Sequence, residues 1–121
     1  MALTFGIDMV EVARIRRLAD DPAGGVFTPD EMSECMVRRR PHAHLAACFA
    51  VKEALLKAAG IGLNRGLGFA DIEVINQGSG ATRLRLNGRM QELIGDIDRM
   101  KCLVSSAYTD HLACAVVALE R

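Results

Sequence analysis

The sequence predicts an α+β fold, because helical and strand patterns occupy different stretches of the chain. An apolar, β-prone segment comes first and three helical segments follow; the rest of the chain carries the alternating patterns of two strand pairs with a short helix between them. This order favours α+β over a doubly wound parallel sheet. Half of the 121 residues are hydrophobic, so we expect one domain with one core over residues 1–121.

The first element is a predicted strand over Leu3–Asp8, which leads directly into a predicted helix over Met9–Ala19. Asp8 then lies at a strand end and close to a helix N-terminus. Backbone donors and the helix dipole favour anions at such a position and, through a metal, phosphates. An ordinary N-cap aspartate is the alternative interpretation.

Two further helices are predicted next. The motif Thr28-Pro29-Asp30-Glu31 combines a capping box with a proline at the first helical position and begins the second helix. This helix should run to about Arg39, because the residue before Pro41 is pushed out of the helical region. The third helix, about Ala43–Ala59, is rich in alanine and leucine and ends at Gly60, which suits a left-handed cap. We expect it to be the central buried helix.

The segment Gly60–Gly68 holds four glycines in nine residues and is either a ligand loop or a linker. Beyond it the hydrophobic period changes to strand alternation, with Gly78-Ser79-Gly80 as the turn of a first antiparallel pair. A short helix over Arg89–Ile97 precedes a second pair, Lys101–Tyr108 and Leu112–Leu119.

Charge and cysteine content limit the partners and the compartment. Fifteen basic and fifteen acidic side chains cancel, so nucleic acid is not expected as the main partner. The cluster Arg38-Arg39-Arg40 either binds phosphate or an acidic protein, or it forms a solvated helix end. The four cysteines form no Cys-x-x-Cys pair, and no segment is apolar enough to enter a membrane. We therefore expect a cytoplasmic protein without membrane contact.

One face of the third helix carries an unusual combination of side chains. Phe49, Glu53 and Lys57 are four residues apart and share this face. A surface ion pair between Glu53 and Lys57, worth about 0.3 to 0.5 kcal/mol, is one interpretation. The apolar character of the helix favours another, because buried charges without partners are costly. A carboxylate suits Mg²⁺, and a lysine one turn further suits the phosphates bound with it.

Four segments, in this order, carry a resemblance to a known family. They are Gly6-Ile7-Asp8-x-Val10-Glu11-x-x-Arg14, Phe49-Ala50-x-Lys52-Glu53-Ala54-x-x-Lys57-Ala58, Asp71-Ile72-Glu73-Val74, and Val104-Ser105 followed by Ala113-x-Ala115-Val116-Val117. Together they resemble the holo-[acyl-carrier-protein] synthases, the small, trimeric type of 4′-phosphopantetheinyl transferase. The resemblance extends over almost the whole chain.

The resemblance implies a 4′-phosphopantetheinyl transferase-like fold, in which an antiparallel sheet packs on a long central helix and three chains form a homotrimer. Coenzyme A and Mg²⁺ would bind between neighbouring subunits, and the phosphopantetheine arm would be transferred to a serine of an acyl carrier protein. Asp8 and Glu53 would hold the metal, and Glu53 and Lys57 would be catalytic. Lys57 would stabilise or protonate the leaving 3′,5′-ADP, and a metal-ordered water or Glu53 would be the base.

The resemblance also implies contacts with the coenzyme and with the carrier protein. The implied coenzyme contacts are Lys57, Gly60, Gly62 and Tyr108. Arg14 falls where the family presents a basic residue to the acidic carrier protein. A surface pair between Glu11 and Arg14, which are three residues apart on the predicted helix, is an equal alternative.

The chain departs from the family pattern at three positions. Cys48 replaces an arginine, and Ala107 and Tyr108 replace the second serine and the histidine of a Ser-x-Ser-His motif. Each lost charged contact to phosphate would weaken coenzyme A binding by about 1.5 to 3 kcal/mol. The residues that could compensate for these lost phosphate contacts are Arg38 to Arg40, His42, His44 and His111.

These departures keep a second function open: a degenerate family member, with altered or lost transferase activity, that binds a carrier protein or acyl-coenzyme A in a specialised biosynthetic pathway. A third alternative is a structural interaction module without small-molecule chemistry, and it rests only on the N-cap, surface-pair and linker interpretations given above.

Overall fold

The computed structural model describes residues 2–20, 25–62, 68–76 and 81–121. Within these ranges the elements are β1 Leu3–Glu11, α1 Val12–Ala19, α2 Pro29–Met36, α3 Pro41–Ala59, β2 Ile72–Asn76, β3 Thr82–Leu86, α4 Gly88–Ile94, β4 Lys101–Tyr108 and β5 Leu112–Glu120. This element order confirms the predicted α+β class. The predicted turn Gly78-Ser79-Gly80 and the middle of the glycine-rich segment lie outside the described residues.

The main layer is a three-stranded antiparallel sheet with the order β1-β5-β4, and β2 and β3 form a separate hairpin. The pairing within each hairpin confirms both predicted strand pairs. The pairing of β1 with β5 is a contact that the sequence pattern does not predict; it places Leu3 opposite Glu120 and Glu11 opposite Leu112. This pairing joins the first and last strands of the chain, and no local pattern in β1 or in β5 specifies which strand it pairs with.

Helix α3 packs across the inner face of this sheet and is buried over almost its whole length. Gly6 in β1 permits the close approach, because a Cβ at this position would lie 1.8 Å from the carbonyl oxygen of Ala54. The helix ends at Gly60, whose φ of 75° is the predicted left-handed cap. The prediction of a long central helix beneath an antiparallel sheet is therefore confirmed.

The outer face of the sheet is apolar and exposed. Alternate residues of β1 point to this face, and 64% of Phe5 and 69% of Ile7 are exposed. Leu103 of β4 lies in the same row as Phe5, and Val116 of β5 lies opposite Ile7. The large apolar residues of this outer face are Leu3, Phe5, Ile7, Met9, Leu103, Leu112 and Val116. Contiguous exposed apolar surface of this kind usually marks an interaction site.

The predicted position of Asp8 at a strand end is wrong. β1 continues to Glu11, and α1 begins only at Val12. The ladder with β5 keeps residues 9–11 extended, although their spacing also fits a helix. Asp8 therefore lies within a strand and opposite Ala115, away from the N-terminus of α1.

The helix boundaries also differ from the predictions. α2 ends at Met36 rather than near Arg39, so the arginine cluster follows the helix instead of ending it. α3 begins at Pro41. A proline is well suited to the first turn of a helix, where its missing N–H is not needed. α4 ends at Ile94, and residues 97–99 form a separate 3₁₀ turn. No helix in the described ranges has both the length and the apolar character needed to cross a bilayer.

A buried ion pair fastens α3 to its neighbours. Lys52 Nζ donates to Glu31 Oε1 at 2.7 Å and to the carbonyl oxygen of Val26 at 2.7 Å. Glu31 also accepts from the backbone N–H of Thr28, which completes the predicted capping box, and from the backbone N–H of Val74. Burial lowers the pKa of Lys52, and the neighbouring Glu31 carboxylate opposes this shift. The pair therefore joins α2, α3 and β2 at one buried point.

Lys52→Met is expected to lower the free energy of unfolding by about 3 to 5 kcal/mol, because it leaves the Glu31 carboxylate buried without its cation. Urea unfolding followed by circular dichroism measures the loss. Lys101→Met, at an exposed position of β4, is the matched control and should change stability by less than about 0.5 kcal/mol. Equal losses in the two variants would contradict this role of the buried pair.

Candidate active site

Two of the predicted site residues meet where α3 crosses β1. Lys57 Nζ donates to Asp8 Oδ1 at 3.1 Å and to the carbonyl oxygen of Ile7 at 2.9 Å. Asp8 reaches α3 because it points to the inner face of β1, two residues after Gly6. The Lys57 side chain is 53% exposed, so the burial expected for this lysine is wrong. The buried lysine of α3 is Lys52.

Glu53 lies one turn before Lys57 and is 8% exposed. Among the described residues, no group forms a hydrogen bond with its carboxylate. Burial raises the pKa of Glu53 and the negative charge of Asp8 raises it further, whereas Lys57 and Arg14 act in the opposite direction. Asp8 and Glu53 are therefore two carboxylates that repel each other at one end of the central helix.

This carboxylate pair fits a magnesium ion. In the described ranges, no three or more histidine, cysteine, aspartate or glutamate side chains form a group that could hold a metal. Mg²⁺ does not need such a group, because it is commonly bound by one or two carboxylates, waters and the phosphates of a substrate. Asp8 and Glu53 supply two hard oxygen donors, and an ion between them would relieve their repulsion.

Arg14 of α1 belongs to the edge of this cluster. Its guanidinium carbon lies 5.5 Å from the centroid of the Phe49 ring, within range of a cation–π contact. Phe49 in turn packs on Phe69, with ring centroids 5.2 Å apart. Of the ion pairs between described residues, none joins Arg14 to Glu11, so the alternative of a surface pair is not observed. Arg14 is instead a positive charge close enough to influence Glu53.

A second polar group lies at the opposite end of α3, beside β4. The Tyr108 hydroxyl is 2.8 Å from His44 Nε2, and the two ring centroids are 4.8 Å apart. Cys48, one turn after His44, is buried with its Sγ 3.9 Å from that of Cys35. His44 and Glu53 are nine residues apart, which is about 14 Å along a helix. Within one chain the predicted coenzyme contacts are therefore divided between the two ends of α3.

Four arginines line a groove beside α1. Arg16 and Arg17 of α1 face Arg39 and Arg40 across a cavity of about 880 Å³. Arg40 Nε also forms an exposed ion pair with Asp110 at 3.1 Å. Four arginines and two acidic residues, Glu11 and Asp110, line the groove, so it carries a net positive charge on a chain whose net charge is zero. Such a surface attracts anionic partners.

Comparison with known proteins identifies the family. The model of the 4′-phosphopantetheinyl transferase superfamily matches residues 4–117. The chain belongs to this superfamily. It is 39% identical to the holo-[acyl-carrier-protein] synthase of Geobacter sulfurreducens, and the match covers 100% of this chain and 99% of that protein. It is 41% identical to the holo-[acyl-carrier-protein] synthase of Edwardsiella ictaluri, over 98% of this chain and 97% of that protein. The resemblance inferred from the sequence motifs is thus confirmed.

Solved structures of the superfamily share the fold. The complex of Chronobacterium ammoniagenes ACPS with CoA superposes with a TM-score of 0.81 at 28% identity, covering 99% of this chain and 98% of that one. The holo-(acyl-carrier-protein) synthase of Bacillus anthracis, in complex with CoA (3′,5′-ADP), gives a TM-score of 0.77 at 28% identity and covers 98% of both chains. The predicted 4′-phosphopantetheinyl transferase-like fold of the single chain is confirmed, and the homotrimer stays a prediction.

The three positions at which the sequence resemblance implies departures from the family pattern occupy different environments. Tyr108 faces His44, and Cys48 borders the same cavity but is packed against Cys35. Ala107 is exposed and, by strand alternation, points to the outer face of the sheet, away from that cavity. Its replacement of a serine therefore leaves the cavity lining unchanged.

Sequence reasoning named His44 only as one of several candidates for compensation. Its contact with Tyr108 joins residues 64 positions apart, so no local pattern could single it out. The positive φ of Gly60 explains why a glycine occupies this position. For Gly62 a Cβ would meet nothing within 4 Å, and nothing in the described residues requires a glycine there.

Proposed function

We propose that this protein transfers the 4′-phosphopantetheine group from coenzyme A to a serine of an acyl carrier protein in an Mg²⁺-dependent reaction. The observation that carries the proposal is the cluster of Asp8, Glu53 and Lys57. Support comes from relatives that match this chain over nearly their whole length and are named holo-[acyl-carrier-protein] synthase. Related structures with CoA bound add to this support. One domain over residues 1–121 and a cytoplasmic location are parts of the same proposal.

Asp8 and Glu53 are proposed to hold the metal through their carboxylate oxygens. When bound, Mg²⁺ would neutralise the diphosphate of the coenzyme and polarise the phosphorus under attack. Metal ligands must be deprotonated, so the raised pKa of Glu53 makes metal affinity fall as the solution becomes more acidic.

Lys57 is the proposed catalytic cation. Its ammonium group has three N–H donors, and two of them are used by Ile7 and Asp8, which leaves one for a phosphate oxygen. In the reaction the serine oxygen forms a bond to phosphorus, and the bond from phosphorus to the oxygen of 3′,5′-ADP breaks. Lys57 stabilises the negative charge that develops on this leaving oxygen. The serine proton passes to a water or to Glu53.

The contacts proposed for the coenzyme are Lys57, Gly60 and Gly62 at one end of α3 and Tyr108 at the other. A homotrimer brings these ends together if the coenzyme lies between neighbouring chains. The exposed outer face of the sheet supports self-association, because Phe5, Ile7 and Leu103 would otherwise remain in water. We therefore propose that copies of this chain cover that face.

Ile7→Glu is expected to convert the proposed trimer into a monomer, because it places a charge in the centre of the apolar face. Light scattering after size exclusion distinguishes a species of 13.1 kDa from one of three times that mass. Val37→Glu, at an apolar position that is 83% exposed but lies after α2, is the control and should leave the mass unchanged. A wild-type protein that is already monomeric would contradict the trimer.

Carrier-protein docking is proposed for the surface that contains Arg14 and the arginine-lined groove. Arg14 extends from α1, the helix that also carries Arg16 and Arg17. An acidic carrier protein is complementary to this charge, and such complementarity accelerates association. High salt should therefore slow carrier modification more than it weakens coenzyme binding.

The proposal is tested by incubating the purified protein with an apo-acyl carrier protein, coenzyme A and Mg²⁺. Intact mass spectrometry should show that the carrier has gained one phosphopantetheine group, and EDTA should prevent the gain. No mass change with several carrier proteins would reject the transferase.

A second candidate, binding without transfer, is favoured by Cys48 and Tyr108, which carry no positive charge. It predicts that coenzyme A or acyl-coenzyme A binds while the carrier mass stays constant. Calorimetric titration with the same two ligands therefore separates this candidate from a protein that binds neither.

A further inference from the structure

The cavity beside β4 has the chemical character of an anion site. Its volume is about 280 Å³. Six of its lining side chains can donate hydrogen bonds, and none of the described residues that line it is acidic. The six donors are Arg38, His44, Asn76, Thr82, Ser106 and Tyr108. Glu34, which is not one of the lining residues, accepts hydrogen bonds from Arg38 and Asn76, and Thr82 donates to Asn76. Ser106 and the pair formed by His44 and Tyr108 make no such bonds to other described residues, and their donors favour a bound anion over a cation or an apolar group.

The contact between His44 and Tyr108 determines how this cavity presents its donors. If Nε2 of His44 is an acceptor, the Tyr108 hydroxyl donates its only proton to the ring, and its lone pairs are left for the cavity. If Nε2 carries a proton, it donates to the Tyr108 oxygen, and the hydroxyl proton is free to point at an anion. A protonated imidazole therefore converts Tyr108 into a charge-assisted donor.

We propose that His44 and Tyr108 act as one unit that binds a phosphate group of the coenzyme, with His44 supplying the positive charge that Tyr108 lacks. This inference rests on the proposed function. It assigns a positioning role to His44, which acts through the Tyr108 hydroxyl. The positive charge that would hold the phosphate is therefore carried by His44 on α3 and not by the residue at position 108 of β4, which is a tyrosine in this chain.

The charges around His44 make its protonation responsive to an incoming anion. Burial lowers the pKa of His44, Arg38 lowers it further, and Glu34 on α2 opposes both. Glu34 is itself paired with Arg38. Cys48 on the next turn of α3 is a buried thiol whose pKa is raised, so it stays neutral. A phosphate near Tyr108 adds negative charge that favours the imidazolium, and coenzyme binding should therefore take up a proton.

The test measures coenzyme A binding by calorimetry in the presence of Mg²⁺, from about pH 8 down to about pH 6, where histidine titrates. Relative to His44→Gln, which keeps the same Glu53 metal site, the wild type should gain affinity as the pH falls. His44→Gln and Tyr108→Phe should each weaken binding about 10-fold at the lower pH and should flatten the pH dependence. Arg89→Gln, which changes an exposed residue of α4 outside this cavity, is the control and should bind as the wild type does.

A second measurement follows the His44 ring by NMR. Coenzyme A should raise the pKa of His44 in the wild type but not in Tyr108→Phe, a difference that a purely structural role of His44 would not produce. Circular dichroism verifies that the variants are folded, and His44→Phe, which keeps an aromatic ring against Tyr108, is measured as a second His44 variant and replaces His44→Gln if that variant does not fold. Wild-type affinity in both His44 variants, or a His44 pKa that coenzyme A does not change, would overturn the proposal. If the wild-type protein binds no coenzyme A, the proposed function fails together with this inference; unchanged binding in the variants defeats the inference alone.

Discussion

Replacing Glu53 with glutamine is expected to reduce Mg²⁺-dependent phosphopantetheine transfer by at least about 100-fold without changing the oligomeric state of the protein. The change removes one of two proposed metal ligands, and even the loss of a group that only supports a ligand typically reduces activity 10- to 100-fold. Initial rates of carrier modification, followed by intact mass, measure the effect. Glu92→Gln on α4 is the matched control, because Glu92 is exposed and lies outside the cluster.

The same variant tests the electrostatic cost of the site. The pKa of Glu53 is raised in the folded protein, so the neutral carboxyl stabilises the fold at low pH, and this contribution is lost as the pH rises through the folded pKa. At neutral pH and in EDTA, Glu53→Gln should therefore unfold at a higher temperature than the wild type. Added Mg²⁺ should stabilise the wild type and leave the variant unchanged. Turnover and Mg²⁺ response equal to the wild type would show that Glu53 does not bind the metal.

Gly6→Ala is expected to destabilise the fold strongly, because the new side chain would collide with the backbone of α3. The added Cβ would lie 1.8 Å from the Ala54 carbonyl oxygen and 2.7 Å from the Ala58 nitrogen, and both are helix backbone atoms that cannot rotate away. Inserting a methylene into a packed core usually lowers the free energy of unfolding by about 1 to 3 kcal/mol. A clash with backbone atoms should cost about 3 kcal/mol or more. Urea unfolding measures this loss.

The displacement should also affect the site, because β1 carries Asp8 and would have to move away from Lys57 on α3. Transfer activity should fall even at a temperature where the variant is folded. Gly68→Ala is the control for stability, since its Cβ would meet no atom closer than 4.0 Å and its φ is negative. Equal stability of the two alanine variants would contradict the close packing of β1 on α3.

Features that depend on neighbouring residues could be predicted from the sequence. The capping box at Thr28 forms with both of its hydrogen bonds, and Gly60 ends α3 in the left-handed conformation. The hairpin of β4 and β5 follows the alternation of its own residues. The 3.6-residue period correctly placed Glu53 one turn before Lys57. In each case the interacting groups are a few residues apart, so the local pattern contains the necessary information.

Features that join distant segments could not be predicted in this way. β1 was expected to end at Asp8, but its ladder with β5, more than a hundred residues later, extends it to Glu11. The sequence also does not distinguish Lys52 from Lys57, although the first is fully buried against Glu31 and the second is exposed beside Asp8. Burial of a charge depends on partners from other elements, and these partners are specified only when the chain has folded.

The sequence by itself determined the α+β class, most of the elements and the family, because periodicity, capping residues and short motifs are local properties of the chain. It also identified Asp8, Glu53 and Lys57 as a set. Only the tertiary structure decided how these residues meet, through the Gly6 contact that brings β1 onto α3, and only it revealed His44 beside Tyr108. Both outcomes depend on atoms that are far apart in sequence and are brought together by packing.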